Sequence, residues 1–456
     1  MRVLLVSTYD LGHQPLGLAS PAAWLAGAGF AVECLDLSRQ LLRDEAVRGA
    51  DVVAFHLPMH TATRLALEVL GRVRAANPAA RICFYGLYGQ ANAAHLLSLG
   101  ADAVISGEYE AELVDFVRGG TQPAARTSLE RLAFRVPDRS GLPALGTYAR
   151  LAVGPERRVV GYTEASRGCR HLCLHCPVPP VYAGRVRVVQ ADVVAADIDA
   201  QVAAGAEHIT FGDPDFLNAP AHGMRVVAAL HARHPRLTYD VTVKVEHLRR
   251  HARLLPTLAR TGCLFVTSAV ESTDDRVLGL LRKGHTRADF AAAVRDCRAA
   301  GVAVNPTFVA FHPWTTRAAL LDTFEMLDGL DLVGSVAPIQ LTTRLLVPAG
   351  SLLLGLPELA AALGPFDGAR LVYPWSHADP SIDALHAEFE AVVAESARCG
   401  RDRYETFDRL HALAGGRPCP RAATARPDVP QFLEPWFCCS EPVGELVTGW
   451  AGAEAI

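Results

Sequence analysis

With 456 residues, half of them hydrophobic and a fifth charged, the chain is too long for one ordinary domain and too apolar for global disorder, so two or three domains with sizeable cores are expected. A net charge of −4 with the two signs interspersed gives no basic stripe for nucleic acid. No apolar run reaches the roughly eighteen residues of a membrane span, and Val3 to Val6 is too short for a signal sequence. Eleven cysteines, an odd number unevenly spread, argue for metal ligands or reactive thiols in a reducing compartment over a disulfide framework, and a cytoplasmic location is expected.

Residues 1–118 alternate apolar runs with helix-like stretches. Val3 to Ser7, Ala31 to Leu35, Asp51 to Phe55, Arg81 to Tyr85 and Ala103 to Ser106 read as buried strands. Such alternation predicts a doubly wound parallel sheet of about five strands, whose ligands sit at the strand carboxyl ends. The Gly86-Leu87-Tyr88-Gly89 loop, Gly100-Ala101-Asp102 and Ser106-Gly107-Glu108, in this strand order, resemble the cobalamin-binding domain found ahead of many radical S-adenosylmethionine (SAM) enzymes. The resemblance implies a cobalamin site, but the D-x-H-x-x-G motif that supplies an axial histidine is absent. His13, His56 and His60 could face a corrin or a substrate and are at least as well read as solvated loop histidines.

Residues 119–158 gather glycine and proline and read as a linker. From 159 to 350 the alternation resumes. Strands are read at 159–166, 207–212, 238–243, 264–270, 302–311 and 335–342, a partial (β/α)6 barrel whose chemistry belongs at the strand C-termini. After the first strand comes Cys169-Arg170-His171-Leu172-Cys173-Leu174-His175-Cys176, spaced C-x3-C-x2-C. Three thiolates can wrap one face of a cubane iron-sulfur cluster and leave one iron open. A zinc knuckle would need His171 or His175 as fourth ligand and has no second cysteine pair nearby.

This loop in this context resembles the radical SAM superfamily. The resemblance implies a [4Fe-4S] cluster on Cys169, Cys173 and Cys176, with SAM on the open iron, and reductive cleavage of a carbon-sulfur bond. It also implies an external electron donor such as flavodoxin or ferredoxin. Matched position by position, Asp213 and Asp215 fall at the acidic motif near the SAM amino group, and Lys244 closes strand three. Glu271 and Ser272 fall near the SAM carboxylate or ribose, and Arg344 follows strand six as a candidate for a carboxylate or phosphate.

Residues 351–456 read as a small helical cap followed by an extended, proline-containing tail that ends Cys438-Cys439-Ser440-Glu441-Pro442. That ending resembles a radical SAM subgroup with a Cys-Sec-Ala-Glu-Pro or Cys-Cys-Ala-Glu-Pro tail, with Ser440 in place of the alanine. Adjacent cysteines have Cα atoms ~3.8 Å apart, too close for a relaxed disulfide, so two free thiols suited to a soft atom are expected. Cys438, Cys439 and Glu441 are therefore candidate catalytic residues.

The expected function is transfer of a SAM-derived carbon group, the 3-amino-3-carboxypropyl group among them, to a soft small-molecule acceptor such as arsenite. The alternatives are a cobalamin-dependent radical SAM methyltransferase and a non-catalytic iron-sulfur or metalloid sensor. No nucleic-acid or membrane partner is expected.

Overall fold

The computed structural model of the chain describes residues 1–120, 123–417 and 429–433. Its first sheet comprises β1 (Arg2–Ser7), β2 (Ala31–Asp36), β3 (Val52–His56), β4 (Arg81–Tyr85), β5 (Ala103–Gly107) and β6 (Ala125–Ser128), all parallel in the order β2-β1-β3-β4-β5-β6. Side chains alternate across it, as the period of two requires. Val3, Leu5, Ala54 and Tyr85 pack under α1 (Leu16–Gly27), while Leu4, Val6, Phe55 and Phe84 pack under α2 (Asp44–Arg48) and α3 (His60–Ala76). Helices α4 (Gly89–Ser98) and α5 (Tyr109–Val117) complete the two layers. The doubly wound domain read from the alternation is present, with β6 from the connector as a further parallel strand.

The second sheet begins with a hairpin of β7 (Arg150–Val153) and β8 (Glu156–Thr163). A short antiparallel pair, β9 (Ser166–Gly168) and β10 (Val186–Val188), brackets the cysteine loop and α6 (Val178–Tyr182). Then α7 (Ala191–Ala203), β11 (His208–Phe211), α8 (Pro220–Arg233), β12 (Thr238–Thr242), α9 (Val245–Arg250), α10 (Leu255–Arg260), β13 (Cys263–Glu271), α11 (Asp275–Leu280), α12 (Arg287–Ala299), β14 (Ala303–Phe308) and α13 (Arg317–Gly329) follow. With β15 (Gln431–Phe432), the sheet order is β14-β13-β12-β11-β8-β7-β15, and β8 to β14 run parallel. Leu151 of β7 and Phe432 of β15 share a core with Phe265 of β13, three strands beyond β8. The sheet must therefore curl back on itself into a half-barrel.

The sixth barrel strand expected at 335–342 does not form. Two 3-10 turns, Val333–Ser335 and Pro338–Leu341, take its place, and only an isolated parallel bridge from Phe311 to Arg344 marks the position. Pro338 has no N–H to give to a ladder. The Gln340 side chain instead accepts from Phe308 N at 3.4 Å. Helices α14 (Pro357–Ala360), α15 (Pro380–Arg398) and α16 (Arg403–Ala414) form the C-terminal cap, with Phe389 and Phe407 packed on Phe311 and Phe324 of the barrel. No described helix is long and apolar enough to cross a membrane.

The two α/β units meet through buried charge. Arg167, just before the cysteine loop, contacts Glu110 at 2.8 Å, Glu108 at 3.6 Å and Glu164 at 2.8 Å, while Tyr182 donates to Glu108 at 3.0 Å. Burial pushes the Glu108 carboxyl up to about 7, against the pull of Arg167. Arg139 grips Asp197 with Nε at 2.8 Å and Nη2 at 3.0 Å, tying the connector to α7.

Candidate active site

The cysteine loop leaves β9 at Gly168, whose φ of +76° suits glycine, and a Cβ there would lie 2.4 Å from Arg185 O and 2.5 Å from the Tyr182 ring. The loop is held by residues distant in sequence. Asn218 Oδ1 accepts from Arg170 N at 3.1 Å and lies 3.8 Å from Cys169 Sγ, and Leu174 N donates to Leu281 O at 3.1 Å.

Cys169 and Cys173 are buried and Cys176 is half-buried, and all three are free thiols. Burial pushes Cys176 up to about 12 and raises Cys169 as well. A metal must therefore displace their protons to bind, as cluster assembly does. A zinc ion would need a fourth donor beside the three thiolates, whereas a cubane takes one thiolate at each of three irons and leaves the fourth iron open, so this donor set fits a cluster.

Around the loop stands a ring of charge at the strand C-termini. Glu271 ends β13 with φ of +69°, and its Oε1 lies 3.0 Å from His175 Nε2 and 3.2 Å from Lys283 Nζ. Burial alone would raise this carboxyl, but Lys283 and His175 together hold it down at about 2. Lys283 is itself buried, and Glu271, with thiolates at Cys173 and Cys176, favours its charged form against that burial. His285 is buried two residues on, with neither ring nitrogen hydrogen-bonded, and burial together with Lys283 and Lys244 pushes it down to about 4. Lys244 is buried, with Nζ 3.5 Å from Glu246 Oε2. The Ser272 hydroxyl accepts from Asp274 N at 3.1 Å.

Some residues singled out by sequence are engaged within the fold. Asp213 accepts from Ala165 N at 2.9 Å and Ser166 Oγ at 2.5 Å, so both carboxylate oxygens hold the chain that enters the cysteine loop. Burial pushes it up to about 7. Asp215 caps the turn Phe216–Asn218 through Leu217 N and lies 2.8 Å from His247 Nδ1. Arg344 pairs with Asp383 at 2.9 Å, donates to Trp375 O at 2.7 Å and stacks on the Trp375 ring at 3.7 Å. Its fork is taken by the cap. Cys438, Cys439 and Glu441 lie outside the described residues.

Sequence reading did not single out Asn218, His247 or His285. The signal available was their place: Asn218 and His247 follow the ends of β11 and β12 by a few residues, and His285 sits in the turn between α11 and α12, two residues after Lys283.

At the strand ends of the first domain, His13 stacks on Tyr162 at 4.9 Å and meets Phe432 edge-on at 5.6 Å, while His56 lies against Tyr85 at 5.4 Å and Tyr109 at 6.1 Å. Burial pushes both imidazoles down to about 3. A Cβ on Gly17 would fall 2.0 Å from the His56 ring, so that ring is packed flat on α1. These residues do not fit a corrin held by either histidine.

Residues 163–327 match the family model described as the Radical SAM superfamily. No curated protein matches the chain. The structure is similar to that of the cobalamin-dependent SAM radical enzyme OxsB with aqua-cobalamin bound, with a TM-score of 0.68 and 13% identity over 87% of this chain and 67% of that one. It is also similar to the radical SAM methyltransferase TsrM from Kitasatospora setae with cobalamin and a [4Fe-4S] cluster bound, with a TM-score of 0.57 and 18% identity over 72% of this chain and 73% of that one. At such identities the likeness is one of fold, and it extends over both α/β units. With the three-cysteine loop at the rim of the curled sheet, residues 163–327 are a radical SAM domain, and the domain ahead of it shares its fold with the N-terminal part of cobalamin-dependent radical SAM structures.

Proposed function

We propose that the protein cleaves SAM reductively at a [4Fe-4S] cluster held by Cys169, Cys173 and Cys176. A SAM-derived carbon group then joins a soft acceptor held by Cys438 and Cys439, with Glu441 taking up the displaced proton. The cluster and SAM supply the carbon radical; the chain supplies binding and position. An external reductant of the flavodoxin or ferredoxin type provides the electron. Lys244, Lys283 and His285 offer donors for the carboxylate of SAM, and Ser272 a hydroxyl for its ribose.

The observation that carries this reading is the direction of β15. It pairs antiparallel with β7, which is antiparallel to β8, so β15 climbs toward the rim that bears the cysteine loop. Phe432 is level with Leu151 and hence with Arg158, five residues below the end of β8 at Thr163. That is ~17 Å at a strand rise of about 3.3 Å per residue. Cys438 is six positions beyond Phe432, and an extended span of six steps covers ~20 Å.

Arsenite bound as a dithiolate is the acceptor that two adjacent thiols favour, and the 3-amino-3-carboxypropyl group is the carbon group proposed to reach it. In that reaction one electron from the reduced cluster would break the bond between the γ-carbon of the methionyl chain and sulfur, methylthioadenosine would leave, and the unpaired electron left when the carbon radical adds to trivalent arsenic would return to the oxidised cluster, leaving the arsenic pentavalent. A second reading, methyl transfer with cobalamin, is favoured by the fold shared with OxsB and TsrM and would use a corrin without a histidine from His13 or His56. Mass analysis of the SAM fragments after one reduced turnover separates the readings. Methylthioadenosine supports aminocarboxypropyl transfer, and S-adenosylhomocysteine with 5′-deoxyadenosine supports methyl transfer. No cleavage at all by protein with an intact cluster leaves a non-catalytic sensor.

A further inference from the structure

Three loops at the barrel rim converge on a second group of donors. His171 comes from the cysteine loop, Asp215 from the turn after β11, and His247 from α9 after β12. One donor atom from each lies within 4.8 Å of the others. His171 Nε2 is 3.2 Å from His247 Nε2 and 3.8 Å from Asp215 Oδ2, and Asp215 Oδ2 is 2.8 Å from His247 Nδ1. Donors that share one ion at bond lengths of about 2.0–2.2 Å stand ~3–3.5 Å apart. Because an imidazole gives one nitrogen to one ion, the donor set is His171 Nε2, Asp215 Oδ2 and His247 Nδ1, and the 3.8 Å and 2.8 Å from the carboxylate oxygen to the two nitrogens bracket that range.

Two details argue for an ion over a closed hydrogen-bond network. His247 Nδ1 is buried and makes no hydrogen bond in line with its ring, although the Asp215 oxygen is 2.8 Å away. Two donors brought close but out of line are what a shared cation between them would produce. The outer nitrogen of His171, Nδ1, faces Glu246 Oε2 at 3.3 Å. A carboxylate behind the imidazole is the usual support of a metal-binding histidine. Lys244 and Arg250 are the cations on the same side, and both are held on Glu246, at 3.5 Å and 2.7 Å. The ring of His251 lies 5.5 Å from that of His247.

We propose that His171, Asp215 and His247 form a mononuclear site for a divalent first-row transition ion, separate from the cluster on the three cysteines. Two imidazoles and one carboxylate suit zinc or ferrous iron. Three protein donors leave a coordination position for an oxygen, nitrogen or sulfur of the substrate. Asp215 thereby serves the ion and not the SAM amino group, and the site stands whether or not SAM is cleaved.

The test is zinc uptake by the full-length, cluster-reconstituted protein, read as zinc per chain after desalting alongside iron per chain and the visible absorbance of the cluster. Wild type should retain one zinc. Asp215→Asn, which keeps the cap on Leu217 N, and His247→Gln should lose it while keeping cluster iron. Glu246→Gln, outside the donor set, should weaken uptake about 10–100-fold. If Asp215→Asn and His247→Gln also lose the cluster, the Glu246→Gln titration decides alone, and unchanged uptake there overturns the site. No zinc on the cluster-loaded wild type also overturns it. So does uptake that survives in His247→Gln but disappears in Cys173→Ala, since the ion would then sit on the thiols.

Discussion

The ammonium of Lys283 lies 3.2 Å from Oε1 of Glu271, both side chains buried, and thiolates at Cys173 and Cys176 would favour the charged form of the same lysine. Lys283→Met would leave the Glu271 carboxylate buried with only His175, and breaking a buried pair from one side costs about 3–5 kcal/mol. The double change Lys283→Met with Glu271→Gln should recover most of that stability, which denaturant melts will check. Removing the cation also makes an added electron less welcome nearby, so the cluster midpoint potential of Lys283→Met should fall. A potential that rises or stays fixed in a spectroelectrochemical titration would separate Lys283 from the cluster.

Arg167 is the one described cation in contact with Glu108, Glu110 and Glu164 together. Arg167→Met strands three carboxylates in the seam between the domains, and a loss of about 3–5 kcal/mol is expected from the broken buried pairs. The connector at 119–158 should then be cut faster by protease than in the wild type. Unchanged cutting at equal stability would mean that the domains are held elsewhere.

Asp213 gives a pH dependence of definite sign. Its folded pKa is raised to about 7 by burial, above the ~3.9 of an unfolded aspartate. Its contribution to stability is therefore fullest below pH ~4 and is lost as pH rises toward 7, because the unfolded chain ionises first. Asp213→Asn can still accept from Ala165 N and meet Ser166 Oγ, so it should fold and should flatten this slope. Melts of the cluster-free proteins at pH 5 and pH 8 measure it. An equal slope in both proteins would assign the dependence to another group.

What the sequence made legible follows distance along the chain. The cysteine loop and the strand-helix alternation are local patterns, and both stand in the fold. The missing sixth strand was also local, since Pro338 was in view, but its substitute, the Gln340 side chain on Phe308 N, is a tertiary contact. The partners of Arg344, Trp375 and Asp383, were not legible beside it because they arrive 31 and 39 residues later in the chain. His247 and Asn218 could not be joined to the loop until β11 and β12 were laid beside β8. His13 looks like a loop residue in sequence and is buried where it reaches Tyr162 of the other domain, whereas His56 ends β3 and is buried against Tyr85 and Gly17 of its own.

The proposed role of Cys439 separates SAM cleavage from product formation. The groups that hold the cysteine loop, Asn218, Glu271 and Asp213, all lie in the barrel and its loops. Cys439→Ser should therefore leave the cluster absorbance and the amount of SAM cleaved per reduced cluster near wild type. A serine hydroxyl is a poor ligand for a soft atom, so transfer product should fall at least tenfold and the cleaved fragment should be quenched to a reduced one. Cys173→Ala is the opposite case, with cluster absorbance, cleavage and product all lost. If Cys439→Ser loses cleavage together with product, the tail supports the fold of the site and does not receive the carbon group. If it loses neither, the acceptor is held elsewhere. Arsenite as acceptor adds a separate readout, because it should protect Cys438 and Cys439 from alkylation in the resting protein, and unchanged labelling would remove arsenite while leaving the carbon-transfer reading to the fragment analysis.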